Sequence, residues 1–189
     1  RIIRYNPFEH TEYEKEEKVI RFLGKTDVTK LMAMKVDDGE AELARQMFVF
    51  SCFTGLAIAD MERLKFGHIK SAADGQMYIR KERQKTKVEF IVPLHPIAKT
   101  IIEQQRKIQT MKEEDNNTDM DNRLIFHPCY SRNVLAKQLS IVGKACGIKQ
   151  RLSYHMGRHT FGTMCLSAGI PIESIAKMMG HASIASTQI

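Results

Sequence analysis

The sequence predicts one mostly helical domain of the mainly α (α+β) class, with a small three-stranded antiparallel sheet. Apolar residues recur at helical spacing in most of the chain, and three short β-type runs lie between residues 66 and 93. The 189 residues are enough for a domain with a sizeable core. A net charge of +7 indicates a basic surface that suits a polyanion.

The first quarter of the chain predicts a linker and two helices. Residues 1–24 are rich in charge, so we interpret them as a linker and place the domain at residues 25–189. A short helix is predicted from Thr26 to Met34, with an acidic residue in its first turn. A second helix is predicted from Glu40 to Leu56, and its largely apolar second half indicates a place in the core.

The three predicted strands cover residues 66–70, 76–80 and 88–93, with a polar turn between the first two. A basic hairpin turn, RKERQKTK, joins the second strand to the third. Its cationic side chains are of the kind that contact nucleic-acid phosphates. The residues predicted to make such contacts are Arg80, Lys81 and Lys87.

A long amphipathic helix is predicted after the sheet. Pro96 marks its start, and its apolar spacing continues to Lys112, which indicates a scaffold role. The polar and acidic residues 113–122 are interpreted as an exposed loop. A calcium site there is disfavoured, because the stretch lacks the glycine and the terminal glutamate of an EF-hand loop.

The next predicted helix is capped by Ser131 or Asn133 and ends at Gly147. Its apolar residues fall in one stripe, so its opposite face is expected to be exposed. Lys137 and Lys144 lie on that exposed face. They are either DNA contacts or ordinary solvated lysines.

The chemistry is concentrated in residues 152–181. His155 and Arg158 are three apart, so they leave one helical face together if this segment is the first turn of a helix. Gly180 ends a second helix just before His181, which can then converge on the same point. A guanidinium matches two oxygens of a phosphate, and histidines add donors that can also move a proton. These residues therefore predict a phosphate-binding site.

The same histidines suggest an alternative, a metal site. His155, His159 and His181 are candidate zinc ligands, but Arg158 would bring a positive charge close to the metal. No carboxylate or cysteine has a spacing that completes the set. We therefore expect no metal, and we interpret His159 as a hydrogen-bonded helix residue that faces away from the site.

The cysteines indicate a reducing compartment. They are widely scattered and lack the paired spacing of zinc or redox motifs. No run of 18 apolar residues and no N-terminal signal pattern occurs, so we expect no membrane span and a cytoplasmic location. The residues expected to be reduced thiols are Cys52, Cys129, Cys146 and Cys165.

The stretch HMGRHTFGTMCLSAGIPIESIAKMMGH resembles the central signature of the tyrosine recombinases, the phage-integrase-like site-specific DNA recombinases. The chain as a whole resembles their helical catalytic domain, and most of all that of integrases from mobile genetic elements such as transposons. The resemblance implies a DNA strand transferase that acts in DNA recombination and integration. It would cut and rejoin double-stranded DNA through a 3′-phosphotyrosyl intermediate, without metal, ATP or other cofactor.

The resemblance also assigns roles to individual residues. His155, Arg158 and His181 match the residues that bind the scissile phosphate. Lys85, nine residues before the leucine of the VPL motif, matches the lysine that protonates the departing 5′ oxygen. The attacking tyrosine is expected nine residues beyond His181, one position after Ile189. We therefore expect the 189-residue chain to be truncated just before its nucleophile and to be inactive by itself.

One motif departs from the family pattern. Ala57, in TGLA, stands where the family has an arginine, and losing such a donor costs roughly 3–4 kcal/mol of transition-state stabilisation. Asp60 matches the family's supporting carboxylate, or it is simply a carboxylate on a helix surface. Arg83 and Lys85 would share one face of an extended strand, so Arg83 can replace the missing guanidinium. The alternative is that Arg83 only contacts backbone phosphate.

The resemblance also implies properties of a longer protein. Helical DNA-binding domains would precede the linker, and the full-length bacterial protein would act as a tetramer on paired DNA sites, whereas the 189-residue chain would be monomeric. Related type IB topoisomerases share the first chemical step. Two alternatives remain: a catalytically impaired DNA-binding module with the same fold, which Ala57 favours, and a basic helical interaction domain without DNA chemistry.

Overall fold

In the computed structural model, residues 21–111 and 119–181 are described, and they form a mainly helical domain with one small sheet, as predicted. The strands follow one another in the antiparallel order β1-β2-β3. Single turns of 3-10 helix lie at Phe66–His68 and Met120–Asn122. The elements are α1 (Lys25–Ala33), α2 (Gly39–Thr54), α3 (Ile58–Met61), β1 (Ile69–Ser71), β2 (Met77–Glu82), β3 (Glu89–Pro93), α4 (Pro96–Met111), α5 (Arg132–Ala145), α6 (Tyr154–Ser167) and α7 (Ile172–Met178).

Helix α2 is the centre of the core, and α1, α4, α5 and α6 pack around it. It begins where the Asp38 carboxylate accepts a hydrogen bond from the Ala41 amide at 2.8 Å. Phe48 and Phe50 are fully buried on it. Helix α6 approaches closely because Gly157 has no side chain: a Cβ there would lie 3.2 Å from the Ser51 side chain. This close approach positions the first two turns of α6, which carry His155 and Arg158.

Helix α4 buries a different face from the one predicted. The apolar spacing that predicts this helix puts Ile97, Ile101, Ile108 and Met111 on one face, but Ile101 is buried whereas Met111 is 85% exposed. The inward face instead contains two buried glutamines, Gln105 and Gln109, whose amide nitrogens donate hydrogen bonds. One of them, Gln105, donates from Nε2 to Gln46 Oε1 at 2.7 Å. A buried amide is tolerated when it is hydrogen-bonded, so the apolar pattern alone misplaces this face.

Two boundaries also differ from the prediction. The first strand starts at Ile69 instead of residue 66, because residues 66–68 form a helical turn that buries Phe66. Leu23 is buried, and its amide donates to Thr160 Oγ1 at 2.9 Å, so the core includes a residue that we had assigned to the linker. The rest of that linker, residues 1–20, lies outside the described residues.

The predicted acidic loop is only partly within the described residues, since the description resumes at Asp119. The Asp119 carboxylate accepts from the Asp121 amide at 3.1 Å and caps a short helical turn. Among residues 21–111 and 119–181, no helix has both the length and the apolarity needed to cross a membrane. The cysteines expected to be reduced, Cys52, Cys129, Cys146 and Cys165, are free thiols.

Candidate functional site

Arg158 is the central group of the candidate site. It lies in the second turn of α6, after the Ser153 cap, and is only 5% exposed. Its Nη1 donates to the Gly55 carbonyl at the end of α2, and its Nη2 donates to the Met179 carbonyl at 2.6 Å. Burial, followed by the charge of Arg83, lowers the Arg158 pKa to about 9. The guanidinium therefore stays charged at neutral pH, fixed between two helix ends.

His181 lies directly against Arg158, as the sequence predicted. Its Nε2 is 2.7 Å from Arg158 Nη2. A guanidinium has only donors, so this ring nitrogen accepts and the histidine is neutral. Burial, followed by the charges of Arg158 and Arg83, lowers the His181 pKa to about 4. An incoming anion would reduce this repulsion and favour protonation of the ring.

Acidification is expected to destabilise the folded domain through His181. Its pKa is about 4 in the folded chain, below the ordinary value of 6.5. Between these values the unfolded chain binds the proton more readily, so the free energy of unfolding falls as pH drops from 7 toward 4. Urea unfolding of the parent and of His181→Gln at pH 7 and pH 5 measures this. The loss on acidification should be smaller in the variant, and an equal loss would contradict the assignment.

Arg83 also lies close to Arg158, but it does not extend from a strand as predicted. It follows β2 directly, and its Nη1 donates to Met179 O at 3.1 Å, the same oxygen that accepts from Arg158. The side chain is 12% exposed, and its Nε lies 3.3 Å from Asp60 Oδ2. The two guanidinium groups therefore share one carbonyl acceptor at the end of α7. The cluster of Arg158, Arg83 and His181 is called the cationic cluster below.

The other two histidines form a pair that the sequence analysis missed. The Nε2 atoms of His155 and His159 are 2.8 Å apart, and the rings meet edge to face. Our interpretation that His159 faces away from the site is wrong. The two residues are four apart on a helix, a spacing that puts side chains on one face and that predicts this contact. Burial, followed by the Arg158 charge, lowers the His155 pKa and so favours the neutral ring.

Lys85 lies at an exposed position in the turn between β2 and β3. The turn, residues 83–88 and called the Lys85 turn below, is closed by hydrogen bonds from Arg83 N to Val88 O and from Lys87 N to Arg83 O. The strand ends before it, so the premise that Arg83 and Lys85 share one face of an extended strand is wrong. The turn sends Arg83 inward and leaves Lys85 exposed.

Asp60 is a buried member of the site. The alternative of a carboxylate on a helix surface is wrong, because Asp60 is only 2% exposed. Its Oδ1 accepts from the Gln84 amide at 2.7 Å, and its Oδ2 pairs with Arg83. Asp60 lies one helical turn after Ala57, to whose carbonyl its amide donates at 2.9 Å. The carboxylate therefore anchors Arg83 beside the position that lacks the arginine.

The predicted DNA contacts are spread over the sheet, the Lys85 turn and α5. Arg80, on β2, is exposed but forms an ion pair with Glu89 at 2.8 Å. Lys81 faces the other side, and burial is the main cause that lowers its pKa. Lys87 is exposed in the Lys85 turn, with a φ of +57°. The remaining two, Lys137 and Lys144, are exposed on α5.

A metal site finds no support in the part of the chain that the structure describes. Across residues 21–111 and 119–181, no group of three His, Cys, Asp or Glu side chains is placed to hold an ion. Burial lowers the pKa values of both histidines of the pair, and the positive charge of Arg158 lowers them further, so this charge raises the cost of placing a cation there. The chemistry that this arrangement supports is the binding and polarisation of an oxyanion.

Gly180 lets the loop after α7 pack closely against the Arg83 side chain. Its φ is +61°, and a Cβ there would lie 2.6 Å from Arg83 Cγ and Cδ. Gly180→Ala should cost about 1–2 kcal/mol from the left-handed backbone alone, and more from the clash. Gly75→Ala is the matched control, since its φ is +80° with nothing within 4 Å of the added Cβ. Equal losses in urea unfolding would contradict the packing described here.

The chain is similar to known proteins over most of its length. The sequence profile of the phage integrase family matches residues 21–189. The tyrosine recombinase XerC of Listeria welshimeri is 26% identical over 192 residues, a match that covers all of this chain and 63% of that protein. The crystal structure of XerA recombinase matches 94% of this chain and 61% of its own chain, with a TM-score of 0.71 and 20% identity.

A transposon integrase has the same fold. The Tn1549 integrase, solved in complex with transposon right end DNA, matches 98% of this chain and 66% of its own chain. The TM-score is 0.59 at 18% identity. Since the chain spans less than two thirds of the XerC relative, these comparisons bear on one domain of such proteins.

Proposed function

Since the chain belongs to the phage integrase family, we propose that it is the catalytic domain of a tyrosine recombinase that cuts and rejoins double-stranded DNA. The observation that carries the proposal is the cationic cluster, in which two guanidinium groups donate to the Met179 carbonyl and the His181 ring lies against one of them. Donors fixed in advance around one point stabilise the charge that develops on a phosphate in flight.

Arg158, Arg83 and His181 bind the scissile phosphate in this proposal. Arg83 takes the place of the arginine missing at Ala57. Two observations support this assignment: Arg83 shares an acceptor with Arg158, and the Asp60 carboxylate holds it one turn from Ala57. A guanidinium at this point carries the charge and the planar donors that the motif otherwise supplies.

The strand transfer is a transesterification. A tyrosine oxygen, expected just after Ile189, bonds to phosphorus and gives up its proton. The bond from phosphorus to the 5′ oxygen breaks, and that oxygen takes a proton from Lys85. His155 accepts the tyrosine proton, a role that suits a ring whose pKa is lowered below its usual value. The bond energy is kept in the phosphotyrosyl link, so rejoining needs no ATP.

The proposed partner is double-stranded DNA, with Arg80, Lys81, Lys87, Lys137 and Lys144 as contacts to its backbone. The neighbour solved with transposon DNA and the basic charge of this chain support that choice. We propose that the full-length protein acts as a tetramer on paired sites in the bacterial cytoplasm. The source would be a mobile genetic element.

The proposal is tested by trapping the covalent intermediate. The full-length protein is incubated with nicked duplexes of randomised sequence, from which the short cleaved strand diffuses away so that rejoining fails. A DNA adduct that survives denaturation, is lost in Arg158→Ala and is attached to a tyrosine is the expected result. Salt-sensitive DNA binding without any adduct would instead favour a catalytically impaired DNA-binding module, the alternative that Ala57 favours.

A further inference from the structure

The Lys85 turn is held by more than its own two hydrogen bonds. A turn that projects from a small sheet, exposed at Lys85, has few contacts of its own to restrain it. Here both neighbours of Lys85 are tied to other parts of the domain. One tie is made by a buried carboxylate, and the other is made by the loop that carries His181.

The first tie fixes the backbone on the N-terminal side of Lys85. The Gln84 amide donates to Asp60 Oδ1 at 2.7 Å, and Arg83 Nε lies 3.3 Å from Asp60 Oδ2. Because Asp60 is 2% exposed, the hydrogen bond from Gln84 and the charge of Arg83 together offset the cost of burying its carboxylate. A charged acceptor also makes the amide hydrogen bond stronger than a neutral one would.

The second tie joins the opposite side of the turn to the loop after α7. Thr86 Oγ1 donates to the Gly180 carbonyl at 3.5 Å, which is a long contact. Arg83 Nη1 donates to Met179 O at 3.1 Å, and its stem packs against Gly180. The turn is therefore connected directly to the two residues that precede His181.

We propose that Asp60 is a positioning residue that fixes the Lys85 turn, through Arg83 and Gln84, against Arg158 and His181 before DNA binds. It holds Arg83 through its side chain and Lys85 through the backbone of Gln84. The phosphate-binding groups and the proton donor then form one preassembled unit. This inference rests on the proposed role of Lys85 as the general acid.

The proposal gives the loss of arginine at position 57 a structural consequence. If position 57 held an arginine, the Asp60 carboxylate could orient that arginine. With alanine there, both oxygens of Asp60 are directed to the Lys85 turn. Substitution of Asp60 should therefore impair proton transfer as well as phosphate binding, whereas loss of Arg83 alone should impair mainly phosphate binding.

The test uses two forms of one nicked duplex, which differ in the bridging 5′ atom at the cleaved phosphate. With oxygen, the phosphorus–oxygen bond breaks and the departing oxygen needs the proton from Lys85. With sulfur, the phosphorus–sulfur bond breaks and the thiolate leaves without a proton, because a thiol is far more acidic than an alcohol. A defect in phosphate binding slows both substrates and leaves the ratio of the two rates unchanged. The ratio, measured with the full-length protein, therefore reports proton delivery.

Lys85→Ala should slow the oxygen substrate by about 10²–10⁴-fold and leave the sulfur substrate nearly unchanged. Asp60→Asn should slow the oxygen substrate at least about tenfold more than the sulfur substrate. Arg83→Ala should slow both substrates by similar factors, because the Gln84 amide keeps its hydrogen bond to Asp60. The matched control is Glu62→Gln, an acid-to-amide change at an exposed ion pair with Arg132, and it should alter neither rate.

Equal slowing of both substrates by Asp60→Asn would overturn the positioning role. If instead Lys85→Ala slowed both equally, the proposed general acid would be wrong, so the two failures are distinct. Amide hydrogen exchange of this chain provides a second measurement. The Gln84 amide should exchange faster in Asp60→Ala than in the parent, and unchanged exchange there would also overturn the proposal.

Discussion

Arg158→Ala is expected to reduce covalent adduct formation by at least about 10²–10³-fold, the cost of removing one preorganised donor to a developing oxyanion. It should also destabilise the fold, because the Gly55 and Met179 carbonyls each lose a charged donor in a buried setting. Adduct formation on nicked duplexes by the full-length variant measures the first effect, and urea unfolding measures the second.

Two further variants separate these effects. Arg158→Lys keeps a charge but loses the planar fork that reaches two carbonyls at once, so it should recover little activity. Arg132→Ala removes an exposed arginine that pairs only at the surface with Glu62, and it should cleave at nearly the parent rate. An Arg158→Ala protein that forms adduct as fast as the parent would remove Arg158 from the proposed mechanism.

Arg83→Ala is expected to have an effect of similar size, about 10²–10³-fold on the cleavage rate. The reason is that Arg83 supplies the second guanidinium of the cationic cluster, where the sequence motif has alanine. Single-turnover cleavage with saturating protein isolates the chemical step from DNA affinity. A residue that only contacts backbone phosphate would weaken binding and leave this rate intact, so an unchanged rate would contradict the assignment.

Much of the fold follows from local signals in the sequence. Ser131 caps α5, and Gly147 follows its end in a left-handed conformation, as its spacing predicted. The convergence of Arg158 and His181 also follows from local rules, since it needs only two helices with a glycine at the correct place. Such signals depend on neighbours within one or two turns, and a single sequence displays them directly.

The parts that differed from prediction depend on distant contacts or on polar burial. Arg83 meets Met179, 96 residues away, through a turn whose geometry no local pattern specifies. The buried face of α4 follows Gln105 because its amide finds a partner on α2, and glutamine otherwise predicts exposure. His159 is a different case, because its spacing of four residues from His155 does predict their contact, and our interpretation of it is wrong.

The replacement by Arg83 of the arginine absent at Ala57 is tested by moving the guanidinium back to position 57. The cleavage rate of Arg83→Ala is compared with that of the double variant Ala57→Arg/Arg83→Ala in the full-length protein. The double variant should cleave at least about tenfold faster than Arg83→Ala, because Asp60 lies one turn from position 57 and can orient an arginine there. If the double variant unfolds in urea like the parent but cleaves as slowly as Arg83→Ala, Arg83 does not replace the missing arginine.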